Sequence, residues 1–293
     1  MKPWHALAAA EQRVVPRVPF FIEDGPAGNA AQVEAGSVAV AHLQALARWP
    51  EALRVDDQGV TLTTAAAERD AFFAQANAAL HQAGLIVAWR DEVYPVWSLA
   101  DQTLLATFER AASRFWGTLT LGAHCNGYVA DETGRPQRLW IARRSPTKAT
   151  DPGLLDNLIG GGVPHGQTPW QTVLREGWEE AGLVPEQMRA MRPGRILRVA
   201  RDIPEGFMRE AISVYDLALP VGLTPCNQDG EVAELRCLPL AEALAHAASA
   251  AMTVDAALVT LDFALRHRLL TPCAHQALEQ DTRSLWCGTA ALT

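Results

Sequence analysis

No stretch of this chain stays apolar for the ~18 residues that a membrane-crossing helix needs. A membrane partner is therefore not expected. The first residues lack the basic-then-apolar order of a secretory signal. Cysteine is sparse, at positions 125, 226, 237, 273 and 287, with no CxxC pair and no metal-ligand spacing. That pattern argues against a zinc ribbon or a redox dithiol and fits reduced thiols in a cytoplasmic protein. Neither Cys226 nor Cys237 stands out as a nucleophile. Positive charge is also short: 25 Lys and Arg face 33 Asp and Glu, for a net charge of −8. Non-specific nucleic-acid binding needs the opposite balance. There is no internal repeat and no low-complexity tract beyond Ala-rich helices. Apolar side chains, by contrast, make up 49% of the residues, enough for a real core, and 293 residues allow two modest domains.

One stretch concentrates the chemistry. Gly160-Gly161-Gly162-Val163-Pro164-His165-Gly166-Gln167 is a glycine-rich lead-in to a predicted helix. Thr168 is a good N-cap, Pro169 suits the first helical position, Gln171 completes a capping box and Gly182 stops the helix. At roughly 100° per residue, Trp170, Val173, Leu174, Gly177 and Ala181 share one side. Glu176, Glu179 and Glu180 share another, where they repel by roughly 0.2–0.5 kcal/mol per pair. Arg175 sits four residues before Glu179 and pairs with it, but no Lys shares that edge. A hard divalent cation with carboxylate ligands is the natural counter-charge. A bare acidic face reads more simply as solvated; the glycines and Arg175 shift the reading towards a metal site.

These residues resemble the Nudix box, G-x5-E-x7-R-E-U-x-E-E-x-G-U, with U bulky and apolar. Gly161, Arg175, Glu176, Glu179, Glu180, Gly182 and Leu183 fit in register. Gln167 stands where the family has Glu, and Gly177 stands where U is expected. Gly177 costs about 1 kcal/mol against Ala and predicts a close backbone approach. Gln167 retains an amide oxygen for a metal or its water, without charge.

Around the box, residues 1–117 read as a small α+β domain and 118–293 as the Nudix domain with a C-terminal helix and tail. The resemblance implies an α/β/α sandwich with a mixed sheet for the latter. Residues 1–35 read as mostly irregular, followed by a helix from about Ser37 to Trp49. A hairpin is expected around Asp56–Gly59, then a helix from Thr64 to Ala83, a strand at Leu85–Trp89 and a helix near Phe108–Phe115. Arg90, Asp91 and Glu92 read more readily as a structural ion-pair turn than as a site. In the second half, Thr118–Ala130 and Arg138–Arg144 read as a hairpin, as do Arg195–Arg201 and Met208–Leu217. Val232–Leu238 is a strand, Leu240–Ala248 a helix and Val254–Leu270 an amphipathic helix. The tail after Pro272 carries no signal.

The match continues outside the box. Phe20–Asp24, Trp89–Val96, Glu109–Ala112, His124–Tyr128, Leu139–Ser145 and Lys148–Asn157 are similar to a two-domain Nudix subfamily, fused in some fungi to thiamine pyrophosphokinase. That resemblance implies hydrolysis of thiamine diphosphate or its oxidised analogues to monophosphate and phosphate, with Mg²⁺, or Mn²⁺ in its place. It implies Glu176, Glu179, Glu180, the Gly160 carbonyl and Glu231 as metal ligands, with Glu231 preferred over Asp229. Arg175 would hold Glu179, and Glu176 is the first choice as general base, a base outside the helix being the alternative. Arg143, Arg144, Lys148, Gln167 and Tyr128 are the substrate-binding candidates. A nucleotide sugar or dinucleotide as substrate, or a weakly catalytic binding module, are the competing readings. Oligomeric state is left open.

Overall fold

The structure is a computed structural model that describes residues 4–25 and 31–287. The first half contains helix α1 (His5–Ala9), strands β1 (Arg17–Asp24) and β2 (Ala31–Ala39), and the short helix α2 (Leu43–Leu46). Strands β3 (Leu53–Asp56) and β4 (Gly59–Leu62) follow, then helix α3 (Arg69–Gln82), strands β5 (Val93–Trp97) and β6 (Leu104–Glu109), and helix α4 (Ala112–Trp116). A four-stranded sheet runs β2-β1-β4-β3, with β1 and β4 parallel, and β5 and β6 form a separate hairpin. Phe20 and Ile22 alternate inward from β1 to meet Phe73 and Leu80 of α3 and Trp116 of α4. The Trp116 indole N–H, buried in this core, donates to Asn77 Oδ1 at 2.8 Å.

The second half is a mixed sheet between helices, the sandwich expected. Its strands are β7 (Leu119–Ala130), β8 (Pro136–Arg144), β9 (Leu155–Asp156) and β10 (Ile159–Gly162). After helices α5 (Pro169–Ala181) and α6 (Pro185–Met188) come β11 (Arg192–Ile203), β12 (Gly206–Ala218), β13 (Val232–Pro239), helices α7 (Leu240–Ala247), α8 (Val254–Arg266) and α9 (Pro272–Asp281), and strand β14 (Trp286–Cys287). The sheet order is β13-β8-β7-β12-β11-β14, with β10 on β7 and β9 on β8; only β7 and β12 pair in parallel within it. Ala123 and Cys125 face the α5 side, where Val173, Ala181 and Met188 pack. Ile141, Leu197 and Ile212 face the other side, against Leu258, Leu261 and Phe263 of α8. None of the described helices is long and apolar enough to cross a membrane.

Several expected elements differ. Ser37–Ala39 completes β2 rather than opening a helix, because Gly36 lets that strand press against the backbone of Trp116 and Gly117. Leu85–Trp89 is irregular bent chain, not a strand, and Ala88 has φ +59°. Glu109 closes β6 against Val93, so the predicted helix at Phe108–Phe115 shrinks to α4. Thr64 caps nothing; a 3₁₀ turn at Ala66–Glu68 precedes α3. Residues 4–12 depart from the 1–117 grouping: Trp4, Ala6 and Ala10 are buried in the α8 core, and Ala10 and Gln12 carbonyls accept N–H bonds from Ala200 and Asp202 of β11. The tail supplies α9 and β14, whose Trp286 and Cys287 extend the sheet edge beside Leu197 and Ile196.

The connection between the halves is short. Gly117 ends α4 in the left-handed region and β7 starts at Leu119. A Cβ on Gly117 would lie 2.5 Å from the Ser37 carbonyl oxygen.

Candidate active site

The box helix starts as its sequence dictates. Thr168 Oγ1 accepts from Gln171 N–H at 3.2 Å, and Gln171 Oε1 accepts from Thr168 N–H at 2.9 Å. Gly182 ends it with φ +64°. Gly177 is needed for close approach: a Cβ there would lie 2.5 Å from Met188 Sδ.

Three carboxylates leave this helix into different environments. Glu180 is 7% exposed at its side chain and accepts the Gly160 N–H at 2.8 Å. Glu176 is 12% exposed and packs its carboxylate on Gly161, where any side chain at 161 would collide with it. Glu179 is 35% exposed. Arg175 bridges two of them, at 2.7 Å to Glu176 Oε1 and 2.7 Å to Glu179 Oε2. The expectation that no Lys relieves this edge holds only for the helix itself. Lys148 arrives from the loop after β8, with its ammonium 3.7 Å from Glu180 Oε1 and ion-paired to Glu231.

Burial is the main cause of the electrostatics here. It raises Glu176 above the ordinary carboxylate range, with Glu179 adding and Arg175 opposing. It raises Glu180 well above that range, helped by the charge of Glu176 and opposed by Lys148. Burial also works against Glu231, but the hydrogen bond and charge of Lys148 bring it below the usual value. Among the described residues, no three His, Cys, Asp or Glu side chains already stand close enough to enclose a metal ion. The donor chemistry nevertheless fits one: two nearly buried, under-compensated carboxylates flank the Gly160–Gly161 backbone, and oxygen-only ligands suit a hard cation. Glu176, Glu180 and the Gly160 carbonyl would hold it, with Glu231 available if Lys148 releases it.

The other candidates divide. Arg144 borders a cavity of about 360 Å³ beside Gly160, Gly161 and Gly162, and pairs with Asp156 at 2.8 Å. Arg143 points elsewhere, to the Gly153 carbonyl at 2.9 Å and to Glu234 at 3.5 Å. Gln167 spends its amide oxygen on Thr172 Oγ1 at 3.1 Å, so it braces the helix start. Tyr128, a substrate-binding candidate, instead packs under α8 against Phe263 and His267 and is not among the cavity's lining residues. Aromatic strand residues are more often core than ligand contacts, and Tyr128 follows that rule.

Sequence reading missed the cavity's other polar walls. His124 Nδ1 lies 3.0 Å from Asn157 Oδ1, and Asn157 Nδ2 donates to Asn126 Oδ1 at 3.2 Å, tying the end of the loop to β7 and α8. The extended segment containing His124 was visible; its inward direction was not. Asp255, at the start of α8, borders the same cavity. Burial and the charge of Glu210 raise its pKa from 3.8 to about 6. The folded state therefore holds this proton more tightly than the unfolded chain. The stabilisation is full below pH 3.8 and is lost as pH rises through about 6. Asp255→Asn should thus be about 1 kcal/mol more stable than the parent at pH 8, after discounting for partial exposure, and equal to it near pH 3.5. Urea titrations at the two pH values check this.

Both halves of the chain are similar to known protein families. Residues 123–257 match the family described as NUDIX domain, and residues 16–120 match a domain of unknown function, DUF4743. Nudix hydrolase 20, chloroplastic, of Arabidopsis thaliana is 36% identical over 192 residues, covering 64% of this chain and 50% of that relative. Nudix hydrolase 24, chloroplastic, of the same plant is 37% identical over 191 residues, covering 64% and 52%. The chain spans about half the length of the curated relatives it matches. The solved structure of DR0079 from Deinococcus radiodurans is 23% identical, covers 59% of this chain and 99% of that one, and has a TM-score of 0.44. The protein therefore carries a NUDIX domain preceded by a DUF4743 domain, and its matched relatives in Arabidopsis thaliana are Nudix hydrolases.

Proposed function

We propose that this protein is a Mg²⁺-dependent diphosphatase that cleaves a small diphosphate compound to its monophosphate and phosphate, with thiamine diphosphate or its oxidised analogues as the substrate class. The observation that carries the hydrolase reading is the buried pair Glu176 and Glu180 against the Gly160–Gly161 backbone. Mn²⁺ would serve in place of Mg²⁺. When bound, the ion neutralises phosphoanhydride charge and makes water more acidic. Glu180 is fixed by the Gly160 N–H, so its second oxygen faces the same space as Lys148. Glu176 has its carboxylate held by Arg175 on one side and Gly161 on the other, an arrangement suited to taking a proton from the attacking water. Its raised affinity for a proton favours that role. Arg144, which lines the cavity, and Lys148, beside Glu180, would contact the substrate phosphates.

The thiamine assignment rests on the sequence resemblance in both halves of the chain, and the curated matches also run longer than the NUDIX span. The test is kcat/KM with Mg²⁺ for thiamine diphosphate, its oxidised analogues, ADP-ribose, a dinucleotide and a nucleoside triphosphate. Thiamine-type substrates should lead by at least tenfold, about 1.4 kcal/mol of transition-state binding. A lead for ADP-ribose or a nucleoside triphosphate would sink the substrate class and leave the hydrolase reading intact.

A further inference from the structure

The cavity beside the glycine loop is walled on one side by the DUF4743 domain, through Arg90, Arg110 and Arg114. Most of the cavity's arginines are answered internally. Arg110 pairs with Glu92 at 3.0 Å, Arg114 with Glu210 at 2.9 Å and Arg144 with Asp156 at 2.8 Å. Arg201 and Arg90 are the exceptions, and Arg90 is the one carried by the DUF4743 half, with the charges of Glu92 and Glu231 reaching it only at a distance. Among the described residues its guanidinium makes no ion pair and its side chain no hydrogen bond, although it is half-buried and shares the cavity with Arg110.

The loop around Arg90 is built to hold it there. Ala88 and Asp91 both have φ +59°, a region that non-glycine residues occupy at a cost. Glu109 Oε1 accepts the Arg90 N–H at 2.9 Å and the Ala111 N–H at 3.1 Å. The Trp89 indole N–H donates to Asp91 Oδ1 at 2.8 Å, and Arg110 N–H donates to the Glu92 carbonyl at 2.8 Å. The following strand is docked on the box: the His165 N–H donates to the Val93 carbonyl at 2.8 Å, and Tyr94 lies over Gly162. This loop presents a guanidinium with no direct carboxylate partner beside the glycine loop, and a guanidinium fork matches two phosphate oxygens.

We propose that the DUF4743 domain forms part of the substrate site, with Arg90 binding non-bridging oxygens of the substrate's diphosphate. This rests on the diphosphatase reading above. Titration of the full chain with methylenediphosphonate and Mg²⁺, a pair that cannot be hydrolysed at the bridge, isolates the contact. Arg90→Met should raise the Kd at least tenfold and Arg90→Lys at least threefold, because an ammonium keeps the charge but loses the fork. KM for the best substrate should rise with the Kd while kcat changes less, and Mn²⁺ affinity followed by paramagnetic resonance should stay within twofold. Should Arg90→Met fail to fold, the Lys variant decides. Binding within twofold of the parent in the folded variants overturns the role of Arg90 and leaves the diphosphatase reading standing. A parent protein that neither binds methylenediphosphonate nor cleaves any diphosphate overturns both.

Discussion

Glu180→Gln should lower Mg²⁺-dependent turnover by about a hundredfold or more, on the scale of ~3 kcal/mol for losing a preorganised electrostatic contact. The reason is location. Glu180 is the most enclosed of the three box carboxylates, at 7% exposure, and its Oε2 is fixed by the Gly160 N–H. A glutamine with its amide oxygen turned to Gly160 keeps that bond and removes the charge. Removing it also relieves the metal-free fold, because burial and Glu176 already disfavour the charged form of Glu180. The variant should therefore melt no lower than the parent in EDTA while losing its response to Mg²⁺. Near-normal turnover in a folded Glu180→Gln would show that this carboxylate is not a metal ligand.

Lys148→Met should have the opposite signature. The ammonium is 11% exposed and lies between Glu180 and Glu231. Without it, Glu180 is a nearly buried charge that has lost its nearest counter-ion. Breaking a fully buried pair costs about 3–5 kcal/mol; Glu231 is half-exposed, so about 2–3 kcal/mol is expected here. For a chain of this size that is a drop in Tm of roughly 3–5 °C in EDTA. A divalent ion supplies the missing positive charge, so Mg²⁺ should raise the Tm of the variant by more than it raises the parent's. Equal melting of the two proteins in EDTA would mean that Lys148 does not neutralise this pair. Lys148 in this view is the counter-ion that Glu180 and Glu231 share.

Much of this was legible in the chain. The box helix, its Thr168 cap and its Gly182 stop follow from local chemistry, because a capping box and a left-handed glycine act within a few residues. The clamp of Arg175 on Glu179 follows from helical spacing; its second arm on Glu176 depends on rotamer and had to be seen. Lys148 and Glu231 meet across 83 residues, and no spacing rule joins them. The first half was read less well for the same reason. The pairing that makes Ser37–Ala39 extended comes from Pro19 and Arg17 on another strand. Arg90 looked like part of an ordinary charged turn, since Asp91 and Glu92 adjoin it. Only the fold shows that Glu92 goes to Arg110 and Asp91 to Trp89, leaving Arg90 without either.

The short joint at Gly117 has a consequence for traffic. Its backbone is clamped by Ser37, and strand β7 begins two residues later, so the two halves are welded rather than hinged. A jaw that swings shut around its guest needs slack that this connection lacks. The wall carrying Arg90 then keeps a fixed gauge relative to the glycine loop. On the other side the cavity is bordered by residues 149–152 of the segment 145–157, which carries Lys148 and turns at Asp151 with φ +47°. Any adjustment around a bound guest would then fall to a loop of about a dozen residues, not to the slower swing of domains.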